Sequence, residues 1–149
     1  MPMFGTIVVG TDGSETAGKA VTRATELAAR VGGRLLIVSA FQPVSGVRLR
    51  EEAQQVPADL QWMVNPREDV DATLRDAAAL AEAEGVQAEI FARQGDPADA
   101  ILDVAEEQGA DLIVVGNKGM TGAKRFLLGS VPNRVSHHAP CSVLIIRTT

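Results

Sequence analysis

The sequence has little cysteine and few aromatic residues, and this scarcity already limits the kinds of protein it can be. Among its 149 residues there is one cysteine, Cys141, one tryptophan, Trp62, and no tyrosine. A single cysteine cannot form an internal disulfide, so a reducing cytoplasm is the expected compartment. Cys141 also lies beside an apolar run, where a buried structural thiol is more common than a nucleophile. We therefore expect Cys141 to be structural.

Long apolar runs and excess positive charge are also missing. No run approaches the roughly 18 residues that suggest a membrane helix, and Met1 leads into a strand-like run without the basic region of a signal peptide. Neither membrane insertion nor export is expected. Lys and Arg number 14 against 19 Asp and Glu, a formal net charge of −5. A general nucleic-acid binder is normally basic, so nucleic acid is not an expected partner.

What is present is the composition of an ordinary globular domain, 46% hydrophobic and 22% charged. β-rich runs and segments of helical periodicity alternate along the chain. The predicted strands are 6–10, 35–41, 86–92, 112–115 and 142–146, and the predicted helices are 15–31, 68–84, 97–108 and 131–138. This alternation predicts an α/β fold, a single doubly wound five-stranded parallel sheet with helices on both faces. Residues 1–149 are expected to form one domain.

The segment from about 42 to 67 has no clean period and is interpreted as a variable loop. A loop of this length inside a compact domain is usually functional, mobile or interrupted by a short helix, which residues 48–55 would supply. Trp62 within it is open to two interpretations: a lid or partner-contact residue, or a local anchor for the loop.

A glycine stretch at 116–130 follows the fourth predicted strand. Gly116 and Gly119 have two residues between them, and nine more precede Gly129 and Ser130. This is neither the P-loop nor the dinucleotide spacing. An apolar strand that runs into glycines and then a helix is typical of an anion site, because glycine allows close approach and the helix N–H groups point at the ligand. A phosphate site is therefore predicted here.

The turn at 11–14, which leaves the first strand, is a second candidate. Ligands of open parallel sheets bind beyond the carboxyl ends of the strands, where strand order reverses, so Asp12 and the glycine stretch would share one crevice if strands one and four are neighbours. Simpler interpretations stand beside this one. Asp12 opens a common Asp-Gly turn, Ser130 has the chemistry of a helix cap, the glycines suit a tight strand exit, and Lys118, Lys124 and Arg125 suit a solvated surface.

Together these residues resemble the universal stress protein family. The glycine stretch matches that family's G-x2-G-x9-G-[ST] nucleotide motif, and residues 7–15, IVVGTDGSE, are similar to its first strand and turn. The resemblance covers essentially the whole chain apart from the loop at 42–67. In form the chain looks closest to actinobacterial single-domain members with a Gly-Ser-Val-Pro turn.

The resemblance implies a strand order of 3-2-1-4-5 and binding of ATP or cyclic AMP. By position it assigns Thr11, Asp12, Ala40 and Val115 to the adenine, Gly116, Asn117, Lys118 and Gly119 to the ribose and first phosphates, and Gly129, Ser130 and Val131 to the outer phosphates. Pro132 stands where some ATP-binding members have a second hydroxyl residue. Proline offers neither hydroxyl nor N–H, which disfavours a tight grip on a triphosphate and its metal. Some relatives with the same Gly-Ser-Val-Pro turn look like cyclic AMP binders, so the resemblance makes cyclic AMP a candidate beside ATP, with Mg²⁺ possible with ATP.

The resemblance also implies a homodimer formed by antiparallel pairing of the last strand, Val143 to Ile146. An exposed apolar edge strand invites such pairing. The expected function is a nucleotide-binding stress-response regulator with little or no turnover, because His137 and His138 fall at the far end of the last helix and no His, Cys and Asp cluster has metal-ligand spacing. The alternatives are a weak ATP hydrolase on the same fold and an interaction module that needs no ligand.

Overall fold

The computed structural model describes residues 3–41, 67–117 and 128–148. The predictions for the loop at 42–66, including Trp62 and a helix at 48–55, lie outside these residues, as do those for Lys118, Gly119, Lys124 and Arg125. The strands are β1 Thr6–Gly10, β2 Arg34–Phe41, β3 Ala88–Gln94, β4 Leu112–Gly116 and β5 Ser142–Ile146. The helices are α1 Glu15–Val31, α2 Arg67–Ala83, α3 Pro97–Gln108 and α4 Ser130–His138.

All five strands are parallel in one sheet of order β3-β2-β1-β4-β5, which confirms the predicted fold and strand order. The central strands are apolar on both faces because both faces are covered. In β1, Ile7 and Val9 join a core with α1 and α2, whereas Val8 joins a second core with α3 and α4. One pair of helices therefore covers each face of the sheet.

Helices α1 and α3 begin where their sequences predict. Ser14 caps α1 by accepting the Ala17 N–H at 3.1 Å. Asp96 caps α3 by accepting the N–H groups of Ala98 at 2.9 Å and Asp99 at 3.1 Å, with Pro97 in the first turn. Both are the side-chain types that satisfy otherwise unpaired N–H groups at a helix start.

The predicted third strand, 86–92, was placed two residues too early. The Val86 N–H donates to the Ala81 carbonyl at 3.0 Å, so the backbone at Val86 is still bonded back to the last turn of α2. Gly85, with φ of 78°, makes the turn that precedes it. The alternation of apolar and polar side chains therefore begins at Val86, before the strand itself. Pairing with β2 begins only at Ala88.

The two edge strands differ in charge. On β3, Arg93 pairs with Glu107 of α3 at 2.7 Å, and Glu89 lies 3.5 Å from Arg34 of β2. Strand β5 carries no charged residue, and its Leu144 and Ile145 are 39% and 40% exposed. Charged side chains protect an edge from pairing with another chain, so β5 is the less protected edge. In the described part of the chain, every helix is too short or too polar to cross a membrane.

Candidate functional site

The sheet places the two predicted site segments side by side. Strand β1 pairs with β4, with Val9 opposite Val114, and with β2 on its other side. Strand order therefore reverses at β1, and the crevice beyond the carboxyl ends of β1 and β4 is the usual ligand position of an open α/β sheet. The turn that contains Thr11 and Asp12 leaves β1 at this edge, and Asn117 leaves β4 beside it.

The turn after β1 is held by its own polar groups. The Thr11 N–H donates to the Val38 carbonyl at 2.9 Å, the Gly13 N–H to Thr11 Oγ1 at 3.1 Å, and the Ser14 N–H to Asp12 Oδ1 at 2.9 Å. Asp12 therefore stabilises the turn, which was one of the two roles expected for it. Its side chain is also exposed at the crevice, so this role leaves it accessible to a ligand.

The surrounding structure explains why glycine occupies two positions near this turn. A Cβ at Gly10 would overlap the side chain of Ile101, so glycine lets α3 pack closely on the end of β1. Gly13 has φ of 83°, and a Cβ there would lie 3.1 Å from Thr73 Oγ1 of α2. The position of the turn is thus fixed by helices on both faces of the sheet.

Ala40 contributes its backbone rather than its side chain. Because the Val38 carbonyl accepts from Thr11 while the Phe41 carbonyl accepts from Gly95, polar groups of even-numbered β2 residues point toward β1. Pairing with β1 ends at Gly10 opposite Val38. The N–H and C=O of Ala40 therefore point into the space beyond the end of β1, next to the Thr11 turn. Val115, in contrast, is 4% exposed and packs in the second core.

Asn117 connects three parts of the chain. Its N–H donates to the Ile146 carbonyl at 2.9 Å, and its carbonyl accepts from the Gly129 N–H at 2.9 Å. Its Oδ1 accepts from Thr148, from the N–H at 2.8 Å and the hydroxyl at 3.1 Å. The two ends of the glycine stretch therefore touch, and the start of α4 lies at the exit of β4.

The structure at the N-terminus of α4 contradicts the interpretation that Ser130 caps its own helix. The N-cap is Gly129, with φ of −62° and ψ of 165°, and glycine has no side chain with which to cap the helix. Ser130 is the first helical residue and is exposed, so it does not cap its own helix. The first turn also contains no acidic residue. The N–H groups of Ser130 and Val131 thus begin a helix whose positive dipole end is not offset by its own side chains.

The backbone of Gly129 does not itself require glycine. Its φ and ψ lie in the extended region, where other residues are equally comfortable, and Ser, Asp or Asn would be better N-caps. Glycine at such a position also allows close approach of another group to the backbone. Of the other predicted residues, Gly116 ends β4 opposite Ile146.

Groups that suggest other chemistry lie away from this crevice. His137 and His138 are exposed in the last turn of α4, roughly 10 Å along the helix from Ser130. Burial, and secondarily the negative charge of Asp111, raise the pKa of the Cys141 thiol. A raised pKa favours the unreactive protonated form, in keeping with a structural thiol. Among residues 3–41, 67–117 and 128–148, no group of three or more His, Cys, Asp or Glu is arranged to hold a metal ion.

Thr148 was not identified from the sequence. It follows the last strand by two residues and is 3% exposed, yet a single threonine after a strand forms no periodic pattern. Its role depends on a contact with Asn117, thirty-one residues earlier in the chain, which only the folded sheet creates.

The fold and this crevice define a doubly wound α/β protein whose candidate site is an open helix N-terminus at the switch point. The model of the Universal stress protein family matches residues 3–147, and the chain belongs to that family. A universal stress protein of Mycobacterium tuberculosis is 38% identical over 152 aligned positions, covering 100% of both chains. One of Bacillus subtilis is 34% identical, covering 97% of this chain and 100% of its own.

Solved structures show the same similarity. A universal stress protein in complex with cAMP is 36% identical, with a TM-score of 0.73, and the match covers 98% of this chain and 99% of that one. A universal stress protein from Archaeoglobus fulgidus in complex with dAMP is 25% identical, with a TM-score of 0.65 and coverage of 99% and 100%. Both neighbours bind an adenine nucleotide.

Proposed function

We propose that this protein binds an adenine nucleotide in the crevice beyond β1 and β4, as a stress-response regulator with little or no turnover. The observation that carries the proposal is the start of α4, where an uncapped helix N-terminus lies against the exit of β4. Such an end favours a phosphate group, which supplies both hydrogen-bond acceptors and negative charge. The two nucleotide-bound relatives of the same fold support the same ligand class.

The described residues suggest an orientation for the ligand. The adenine would lie near Thr11, Asp12, Val115 and the backbone of Ala40, whose N–H and C=O point into the crevice. Gly116 and Asn117 would lie along the ribose, and the family motif adds Lys118 and Gly119. The phosphate would accept from the N–H groups at the start of α4, the part of the site formed by Gly129, Ser130 and Val131.

Cyclic AMP is the ligand that we favour over ATP. Pro132 occupies the third helical position of α4 and has no N–H, while the Asn133 N–H already donates to the Gly129 carbonyl at 3.0 Å. Within the part of the chain that the structure describes, the N–H groups of Ser130 and Val131 have no acceptor at the start of the helix. Two donors suit one phosphate better than three, and binding of cyclic AMP would need no Mg²⁺.

Calorimetric titration with cyclic AMP, AMP, ADP and ATP, the last two with and without Mg²⁺, tests the proposal. We expect cyclic AMP to bind most tightly, with an affinity that Mg²⁺ does not change. Absence of binding by all four nucleotides would instead support the ligand-independent interaction module. Multiple turnover of ATP that disappears in Gly119→Ala would support the hydrolase.

We further propose a homodimer through β5. Its uncharged edge, with Leu144 and Ile145 exposed, contrasts with the charged edge of β3. The two edges offer a matched pair of variants, because Ile145 on β5 and Ile90 on β3 are 40% and 38% exposed. Light scattering should show a dimer for the unmodified chain and for Ile90→Lys but a monomer for Ile145→Lys. A dimer that survives Ile145→Lys and is lost in Ile90→Lys would assign the interface to the opposite edge.

A further inference from the structure

Thr148 is unusual among the polar residues of this protein. Within the described ranges three polar side chains are buried, Thr25, Ser39 and Thr148, at 4%, 4% and 3% exposure. Thr148 lies beyond the last strand, in a segment that would ordinarily be solvated. Its carbonyl accepts from Lys19 Nζ of α1 at 3.2 Å. The segment after β5 is therefore tied to the body of the protein.

The hydrogen bonds of Thr148 lead directly to the candidate site. Both its N–H and its hydroxyl donate to Oδ1 of Asn117, at 2.8 Å and 3.1 Å. The main chain of Asn117 is in turn bonded to Ile146 on one side and to Gly129 on the other. A continuous series of hydrogen bonds thus runs from Thr148 through Asn117 to the N-cap of α4.

This arrangement fixes the orientation of the Asn117 carboxamide. An asparagine side chain at a strand exit has several rotamers and is able to bond its own backbone. Two donors on one oxygen select a single rotamer and occupy the group that would otherwise compete for neighbouring N–H groups. The carbonyl of Asn117 then stays directed at Gly129, which sets where α4 begins relative to β4.

We propose that Thr148 is a positioning residue of the nucleotide site, acting through Asn117 to hold the N-terminus of α4 in place for the phosphate. This inference rests on the proposed function, because it concerns the same phosphate position. It adds the segment after β5 to the elements that determine nucleotide affinity. Since Ile146 ends β5 and also accepts from Asn117, that segment connects the proposed dimer edge with the site.

The opposing interpretation is that Thr148 contributes only to general stability, as any buried hydroxyl does. Thr25 offers a matched control, because it is equally buried and its hydroxyl donates to the Val21 carbonyl within α1 at 2.8 Å. Thr→Val at either position removes one buried hydroxyl and preserves the shape of the side chain. Only Thr148→Val should change the site.

The experiment compares Thr148→Val, Thr148→Ser and Thr25→Val in the full chain, by calorimetry with cyclic AMP and by thermal unfolding. Loss of one hydrogen bond predicts an affinity about fivefold weaker for Thr148→Val, while Thr148→Ser, which keeps the hydroxyl, and Thr25→Val should bind as the unmodified chain does. In an Asn117→Ala background, Thr148→Val should add no further loss. Equal affinity of Thr148→Val and Thr25→Val, or an undiminished effect without the Asn117 carboxamide, would overturn the proposal.

A second measurement keeps the test independent of nucleotide binding. Hydrogen exchange of the Gly129 amide, which donates to Asn117, reports the positioning step in the nucleotide-free protein. We expect this exchange to be several-fold faster in Thr148→Val than in Thr25→Val, because the acceptor is less well held. Failure of every chain to bind any nucleotide would reject the proposed function. Unchanged exchange in Thr148→Val would reject the positioning role.

Discussion

Helices α1 and α4 begin at the same edge of the sheet but begin differently. Helix α1 has a capping Ser14 and an acidic Glu15 in its first turn, and α3 has the same two features in Asp96 and Asp99. Helix α4 has Gly129 as its N-cap, no side-chain cap and no acid in its first turn. Helices α1 and α3 thus cap their own N-termini with side chains, whereas α4 does not.

Under the proposed function, this difference marks a helix start that is less stable in the nucleotide-free protein and that the ligand would complete. Glycine at the N-cap in place of serine or aspartate costs a helix about 0.3 kcal/mol, and the missing acidic residue forgoes a further contribution of about 0.5 kcal/mol from the helix dipole. A bound phosphate would supply both the acceptors and the charge. The energy that α1 and α3 obtain from their own side chains is therefore available at α4 to a ligand.

The largest expected effect comes from giving α4 an aspartate N-cap, as α3 has in Asp96. Gly129→Asp places a carboxylate where we propose that the phosphate lies, and repulsion should weaken cyclic AMP binding by about 100-fold. The same change should raise the free energy of unfolding of the nucleotide-free protein by about 0.5 kcal/mol. Calorimetry and urea unfolding measure the two effects.

Gly129→Asn is the matched control, because it offers a similar cap without the charge. Its affinity should fall between those of the unmodified chain and Gly129→Asp. Undiminished binding of cyclic AMP by Gly129→Asp would show that the phosphate does not lie at the start of α4.

Pro132→Ser adds hydrogen-bond donors to the first turn of α4, whereas Gly129→Asp adds a cap. The substitution adds a third N–H to the first turn together with a hydroxyl, and charge-assisted hydrogen bonds of this kind are worth about 1.5 kcal/mol or more. We expect ATP affinity to rise about tenfold while that for cyclic AMP changes little. Because Pro132 is buried, thermal unfolding should accompany the titrations to show that the variant is folded. An unchanged ratio of the two affinities would indicate that Pro132 does not determine ligand choice.

Removing the N-terminal caps of α1 and α3 should lower the stability of the protein without changing nucleotide binding. Ser14→Ala and Asp96→Ala should each lower the free energy of unfolding by about 1 kcal/mol. Cyclic AMP affinity should remain within about twofold at temperatures where the variants are folded. Urea unfolding and calorimetry again provide the measurements. A large loss of affinity in Asp96→Ala would mean that the α3 terminus also takes part in the site.

The smallest effect is expected for Ser130→Ala. Since the hydroxyl of Ser130 does not cap α4, its removal should change the free energy of unfolding by no more than about 0.3 kcal/mol, well below the cost for Ser14→Ala. One lost contact to the phosphate would weaken cyclic AMP binding about threefold. Destabilisation equal to that of Ser14→Ala would restore the capping interpretation that the structure contradicts.

The fold was predictable because its strands and helices have strong local patterns. Ile7, Val8 and Val9 are apolar on both faces, as central parallel strands require, and Asp96 with Pro97 marks a helix start by local chemistry alone. The order of the strands followed from the family resemblance rather than from periodicity. The start of β3 was wrong by two residues, because Val86 continues the alternation of the strand while its N–H still completes the end of α2.

The site was less predictable because its contacts join distant segments. Capping by Ser130 was one of the two interpretations of that residue, yet the N-cap is Gly129, which donates to Asn117, and the helix starts one residue earlier. Thr148 is in the site region only because β5 lies beside β4. The sequence proposed the glycines and the Asp12 turn as parts of the site, and this stays a prediction, but it did not indicate which residue holds Asn117.

The hydrogen bond between the Asn117 carbonyl and the Gly129 N–H also holds together the two residues that flank positions 118–128. The entropic cost of closing a loop rises slowly with its length, by about 0.6 kcal/mol for each doubling. Extra residues between Gly119 and Leu128 should therefore leave both ends in place. If the proposed function holds, an environment-sensitive dye attached at one of these inserted positions would offer a way to convert the protein into a nucleotide sensor.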